Sequence, residues 1–363
     1  MIHFVATAVG LGLLSGLVTA AWAVAPLIAP PTLVFGVSIP TDHRGDQRLT
    51  QVRRQYLWRV VTLGFAIWLV SVLAAKFWGF GSGAAVGITG AAFGGFVSSA
   101  MAHRAIGAIC DTGHWHPSRP TRIAAWIGPT NRSTKAETWG HLLATGGFLI
   151  ATIAASIADY SQMPRILPLH YSLWGKPLVW TPKTPAVVAW LTLLPVVSTL
   201  VLVIAGHHLA HVRRHLDPDQ LGASNERQQV FVLRNQRLLA WMGLFVAYSG
   251  WLNDYRRWHL LSMSPTLATA LWLIPLGALI VYSAILMVAT GQFGSRSSGL
   301  RGPDNAYRED DRHWVAGQFY MNAADPALLV PKRFGYGYTF NWGRSEIWLC
   351  VVVLLTAYLW IRP

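Results

Sequence analysis

The chain has 363 residues, of which 53% are hydrophobic and only 12% are charged, with a mean hydropathy of +0.38. Soluble domains carry about 25% charged residues, so this composition excludes an ordinary soluble domain and points to an integral membrane protein. The net charge of +14 would suit a nucleic-acid partner on a soluble surface, but here the cations lie between long apolar runs, where the positive-inside bias accounts for them and no nucleic-acid partner is expected.

Eight apolar segments follow in chain order: 3–28, 57–75, 83–101, 141–158, 185–205, 237–253, 265–289 and 346–361. Each approaches the length of about 20 residues that a helix needs to cross the hydrocarbon core. We therefore expect an all-α integral membrane protein. It is read as one polytopic domain, 1–363, a bundle of about eight transmembrane helices with a long cytoplasmic loop before the last helix. The first segment ends in Thr19–Ala23, which has the small-residue pattern of a signal-peptide end. No cation precedes it, so it is read as a retained helix. Trp78, Trp251, Trp348 and Trp360 close several segments, as interfacial aromatics do.

Gly83, Gly87, Ala91 and Gly95 recur every four residues in the third segment and give it a small-residue face for close helix packing. Pro195 and Pro275 sit inside the fifth and seventh segments, where each is expected to kink its helix. The two cysteines, Cys110 and Cys350, have no paired spacing and both fall toward the expected cytoplasmic side. No structural disulfide is expected there.

Lys and Arg are distributed unevenly. Alternate loops, beginning with the one after the first segment, hold 22 of the 29, against seven on the other side. This places the protein in the cell membrane as a multi-pass chain with both termini outside and four large loops in the cytoplasm.

The middles of the segments carry no Asp, Glu, Lys or Arg, which argues against a proton path or an acid–base enzyme within the bilayer. His207, His211 and His215 would share a face if the fifth helix continued, the spacing of a candidate metal or haem site. No carboxylate is interleaved, so the expected role is a basic helix end at the headgroups, with no metal and no cofactor. His114 and His116 form a second, weaker pair. Asp304, Glu309, Asp310, Asp311, His313 and Asp325 supply acid–base groups to the loop 290–345, with no spacing that specifies a reaction. We expect no enzymatic activity.

Two loops stand out. The loop 159–184 contains MPRILPLHYSLWGKPLVWTPK, rich in Pro and aromatics, and is expected outside the cell. The loop 290–345 is too long for a passive connector. It is read as a mixed helical start followed by NAADPALLVPKR and a Gly-aromatic run, suited to a membrane-interface platform.

The first of these stretches resembles the extracytoplasmic motif of a bacterial membrane family of largely unknown function, which includes the immunity protein against the SDP-type secreted peptide toxin. Pro164, Pro168, His170, Gly175, Pro177, Trp180 and Lys183 match its pattern, whereas Leu178 and Val179 stand where the family has Asp-Gly. FGVSIP at Phe35–Pro40 and the stretch Asp310–Trp348 resemble segments of its longer members. Within the latter, Asp325, Pro326, Pro331, Arg333, Gly335, Gly337 and Asn341 form the cytoplasmic motif.

The resemblance implies a sensor or immunity-type protein that meets a secreted peptide or envelope ligand through the outer loop. A stiff lid over the helices is the plainer use of the same residues. The alternative function is a transporter or channel-like protein for an uncharged or lipid-like substrate. The expected partners are the lipid bilayer, a secreted peptide or envelope ligand, and a second copy of the chain in a homo-oligomer.

Overall fold

A computed structural model of the chain describes residues 2–30, 32–115, 135–172, 175–209, 221–297 and 313–361. Seven helices form among them: α1 (Ile2–Ile28), α2 (Gln47–Thr112), α3 (Lys135–Ala158), α4 (Pro185–Leu209), α5 (Leu221–Arg257), α6 (Pro265–Thr290) and α7 (Ser345–Ile361). Six of them, α1 to α6, are long and apolar enough to cross a membrane. The chain is a multi-span, all-α membrane protein.

Two helices outrun their apolar segments. At 66 residues, α2 would extend about 100 Å if straight, some three times the hydrocarbon core. It is broken at Gly79, whose φ of 86° and ψ of 167° are not helical. The two arms fold back on each other, and the small-residue stripe packs on the first arm at Gly83 and Gly87 and on α1 at Gly87 and Gly95. A Cβ on Gly83 would meet Ala75 and the Ser71 carbonyl, and one on Gly90 would meet Ile67. The segments expected at 57–75 and 83–101 are the two arms of this hairpin. Helix α5 begins 16 residues before its apolar segment (221 against 237), so Arg227, Arg234 and Arg237 lie within it, and its last turn holds Asp254, which is fully buried.

Four two-stranded antiparallel hairpins join or precede helices: β1 (Leu33–Val34) with β2 (Val37–Ser38), β3 (Ile166–Tyr171) with β4 (Pro177–Pro182), β5 (Trp314–Val315) with β6 (Phe319–Tyr320), and β7 (Leu329–Pro331) with β8 (Tyr338–Phe340). Of the helical start expected in the loop 290–345, the described part holds a 3-10 turn at Gln292–Gly294 and a residue of 3-10 conformation at His313. From His313 the chain makes β5 and β6, because Ala316 (φ 53°) and Gly317 (φ 69°) adopt left-handed conformations that end any helix.

The chain divides into two compact units. The first comprises Met1–Ile127, Val212–Gln228 and Met287–Pro363. In it α1 packs on the α2 hairpin. The Trp68 indole donates to the Ala8 carbonyl at 3.0 Å, and the Tyr56 hydroxyl donates to the Trp22 carbonyl at 2.6 Å. A Cβ on Gly95 would collide with the Trp22 ring. Its core gathers Phe35, Ile39, Leu49, Tyr56, Ile106 and Phe334.

The second unit comprises Gly128–His211 and Gln229–Leu286, and α5 is its central helix. Toward α3 it sets Trp241 on His141 and Trp251 on Phe148. Toward α4, Gly250 leaves room for the ring of Pro195, and Gln236 donates to the Gly206 carbonyl at 2.9 Å. Toward α6, Phe245 meets Trp272 and the Tyr248 hydroxyl donates to the Leu271 carbonyl at 3.0 Å.

Candidate functional sites

The first site is the β3–β4 hairpin, which holds the motif of the loop 159–184. Its register pairs Ile166 with Pro182, Leu167 with Thr181, Pro168 with Trp180, His170 with Val179 and Tyr171 with Pro177. Two register shifts interrupt it, leaving Leu169 and Leu178 without opposite residues. A bulge of this kind re-aims the side chains that follow.

Cations hold the hairpin. Arg257, in the last turn of α5, donates through Nε to the Pro168 carbonyl and through Nη2 to the Leu169 carbonyl, each at 2.9 Å. Its Nη1 pairs with the buried carboxylate of Asp254. Arg256 donates to the Gly175 carbonyl at 3.2 Å and stacks 4.4 Å over the Tyr171 ring. Burial raises the Tyr171 phenol pKa, and the two arginines oppose that shift. Lys183 donates to the carbonyls of Tyr160 and Met163, at 2.9 and 3.0 Å, and lies 4.8 Å over the Tyr160 ring. These carbonyls follow the C-terminus of α3, where a cation is electrostatically favoured.

Four of the seven motif residues are thus placed by packing. Lys183 is a strut. Pro168 is buried and lends its carbonyl to Arg257. Pro164 is half-buried. Gly175 has a φ of 72°, and a Cβ there would meet the Pro265 carbonyl at the start of α6. Pro177 and Trp180 are exposed. The backbone of His170 pairs in β3, but its side chain lies outside the described residues, as does Trp174. Arg256 and Arg257 stand about 80–90 positions beyond the motif. Only their place at a helix end, opposite the loop, marked them in the sequence.

The second site belongs to the other unit and gathers the motif of the loop 290–345. Asn341 is fully buried and joins the loop between β6 and β7 to β8. Its amide nitrogen donates to the carbonyls of Asn322, Asp325 and Ala327, and its oxygen accepts from the backbone of Asn322 and Gly343. Asp325 accepts from the Ala327 backbone at 3.0 Å and from the Tyr320 hydroxyl at 3.1 Å. Pro326 follows it, and Pro331 ends β7 and is buried.

Arg333 is also fully buried. It donates to the Gly36 carbonyl at 3.3 Å and lies 5.4 Å over the Trp314 ring. Gly335 (φ 82°) and Gly337 (φ 94°) turn the chain between β7 and β8.

Three contributors were not apparent from the sequence. Gln292 donates its amide to the carbonyls of Lys332 and Gly337 and accepts from the Gly337 backbone, at 2.8–2.9 Å. Its only signal is the flanking pair Gly291 and Gly294, both with positive φ. His103 meets the Phe35 carbonyl through Nδ1 at 2.8 Å, and Gln318 bonds the Ser99 hydroxyl. Together they seat the β1–β2 turn against the β5–β6 turn, where a Cβ on Gly36 would stand 2.9 Å from the Gly317 carbonyl. FGVSIP and the C-terminal stretch, far apart in sequence, form one assembly. Lys332 is half-buried in it, and burial lowers its ammonium pKa.

The remaining sequence candidates are dispersed. His207 and His208 close α4, with rings 6.1 Å apart, while His211, His215 and His116 lie outside the described residues. Among the described residues no group of three or more His, Cys, Asp or Glu is placed to hold a metal. Cys110 and Cys350 are free.

A model described as Family of unknown function (DUF5808) matches residues 324–348, which cover β7, β8 and Asn341 itself. No curated protein and no solved structure matches the chain. The class that the fold defines is a multi-span, all-α membrane protein.

Proposed function

We propose that this chain is a non-enzymatic sensor or immunity-type membrane protein that recognises a secreted peptide or envelope ligand through the β3–β4 hairpin. In this reading the chain crosses the cell membrane eight times. The α2 hairpin contributes two spans and the 17-residue α7 the last. Both termini and the β3–β4 hairpin then lie outside, as the distribution of Lys and Arg favours.

One observation carries the reading. Arg256, Arg257 and Lys183 secure one side of the hairpin to the helix ends of its own unit, yet β4 is left almost wholly exposed. A surface ordered before its ligand arrives loses less entropy on binding. A passive connector between α3 and α4 has no need of such a clamp, since loops of a few residues join packed helices.

The test is a deletion strain challenged with a panel of secreted antimicrobial peptides and envelope-active compounds. It would be complemented with the intact chain, with Trp180→Ala and with His170→Ala. The expected result is increased sensitivity to at least one member, reversed by the intact chain and not by Trp180→Ala. Unchanged sensitivity across the panel, together with altered uptake of an uncharged solute, would replace this reading by the transporter.

A further inference from the structure

We infer that strand β4 lies within the interfacial layer of the bilayer, with the side chains of both its faces in contact with lipid. A strand in water alternates between a buried and a wet face. β4 does not: Leu178 is 63% exposed, Val179 46% and Trp180 55%, three consecutive large apolar side chains. The pairing explains how. The register shifts on either side of His170 leave Leu178 without an opposite residue and break the alternation. Ile166 on β3, paired with Pro182, adds a fourth apolar side chain at 56%.

What covers this strand follows from its neighbours. β4 ends at Pro182, and α4, long and apolar enough to cross a membrane, begins at Pro185. The strand is therefore continuous with a lipid-facing surface that runs on through Trp190, Leu193 and Val197. Arg165 and Lys176, at opposite ends of the hairpin, are exposed and carry positive charge to headgroup level. Apolar side chains, an indole and flanking cations are the composition of a membrane interface. Pairing with an extended peptide is disfavoured, because prolines stand at both ends of β4 and cannot donate to an added strand.

The inference refines where recognition would occur but does not require that reading, since it rests on exposure and continuity alone. If both hold, the ligand is met at the lipid surface and must partition into it.

The experiment places an environment-sensitive fluorophore at Leu178→Cys in a Cys350→Ser background, leaving the buried Cys110 in place. The whole chain is reconstituted in nanodiscs of phosphatidylethanolamine and phosphatidylglycerol. Labels at the exposed Ser161, in the turn after α3, and at the exposed Leu193, on α4, provide aqueous and lipid references. The label at 178 is expected to emit to the blue of that at 161. It should be quenched by spin-labelled lipid as strongly as that at 193, and by iodide severalfold less than that at 161. A second label at Val179→Cys is expected to behave likewise and serves if Leu178→Cys fails to fold. Iodide quenching at either position equal to that at 161 overturns the inference. So does protection from both quenchers, which would mean that a protein surface, such as a second copy of the chain, covers the strand. A null result in the peptide panel would leave these readings unaffected.

Discussion

The β3–β4 hairpin and the assembly around β7–β8 are both small antiparallel structures attached to spanning helices, and they are held by different means. The first is contiguous in sequence and is tied down by charge. Its longest strut, Arg257 to Pro168, spans 89 positions, and its cations reach carbonyl oxygens within β3, in the β3–β4 turn and just after α3. The second is made from pieces as distant as Gly36 and Arg333, 297 positions apart. It is held by buried amides, glycine contacts and one buried guanidinium. A clamp of a few charged groups leaves a strand free to meet its surroundings, as exposed β4 is. An interlocked network buries its motif residues, as Arg333 and Asn341 are buried. Motif membership alone therefore does not separate a contact surface from an internal brace.

The difference can be broken most forcefully at Arg257. Arg257→Ala leaves the Asp254 carboxylate buried without its cation, and the expected loss is about 3–5 kcal/mol. It would be read as a lowered unfolding midpoint in detergent micelles. Replacing both partners, as Asp254→Leu with Arg257→Met, is expected to recover much of that stability while proteolytic nicking within 164–182 still rises. Recovery of both would show that Arg257 serves only its carboxylate and not the hairpin.

In the second region the glycine contact is the corresponding weak point. Gly317→Ala forces a side chain into left-handed backbone and against His103 Nδ1 and the Phe35 carbonyl, each 2.7 Å from the new Cβ. The strain alone amounts to about 1–3 kcal/mol. Gly335→Ala shares the positive φ but meets nothing within 4 Å. It is expected to cost about 1–2 kcal/mol, the backbone part only. Equal midpoints for the two variants would argue that the turn-to-turn contact contributes nothing.

Asn341→Ala removes one side chain from five hydrogen bonds. The orphaned backbone groups should destabilise the assembly by about 1–3 kcal/mol, with faster amide exchange at Asn322 and Gly343. The hairpin of the other unit serves as the internal control and should exchange as before.

The smallest effect is electrostatic. Burial holds the Lys332 ammonium below its ordinary pKa of 10.5, so the folded chain binds that proton less tightly than the unfolded chain. The resulting penalty is present at neutral pH and is lost as pH rises through the folded pKa. Lys332→Met is expected to raise the midpoint slightly at neutral pH and to flatten its rise toward about pH 10. An unchanged pH profile would mean that the lysine is solvated in the folded state.

Much of the fold was legible because the signal is local. Apolar runs at 185–205, 265–289 and 346–361 became α4, α6 and α7 within a few residues at each end. The start of α5 was missed because its first turns are polar, and composition alone reads such residues as loop. The four hairpins were missed for another reason. Three of them have only two or three residues per strand, which gives no periodicity, and left-handed turns such as Phe35–Gly36 and Ala316–Gly317 define them; β3 and β4 have six residues each, but their register shifts and prolines break the alternation. Of the candidate sites, the motif positions were found but not their tasks. Lys183 and Pro168 read alike as loop residues, until Tyr160, Met163 and Arg257 arrive beside them.

The sequence by itself determined that this chain spans a membrane and roughly where, because the length and apolarity of a segment are properties of that segment alone. Only the tertiary structure decided that Arg256, Arg257 and Lys183 hold a hairpin, that FGVSIP meets the C-terminal stretch, and that β4 stays exposed. Each of these depends on which carbonyl or side chain lies within about 3 Å, and in a folded chain that neighbour can stand hundreds of positions away.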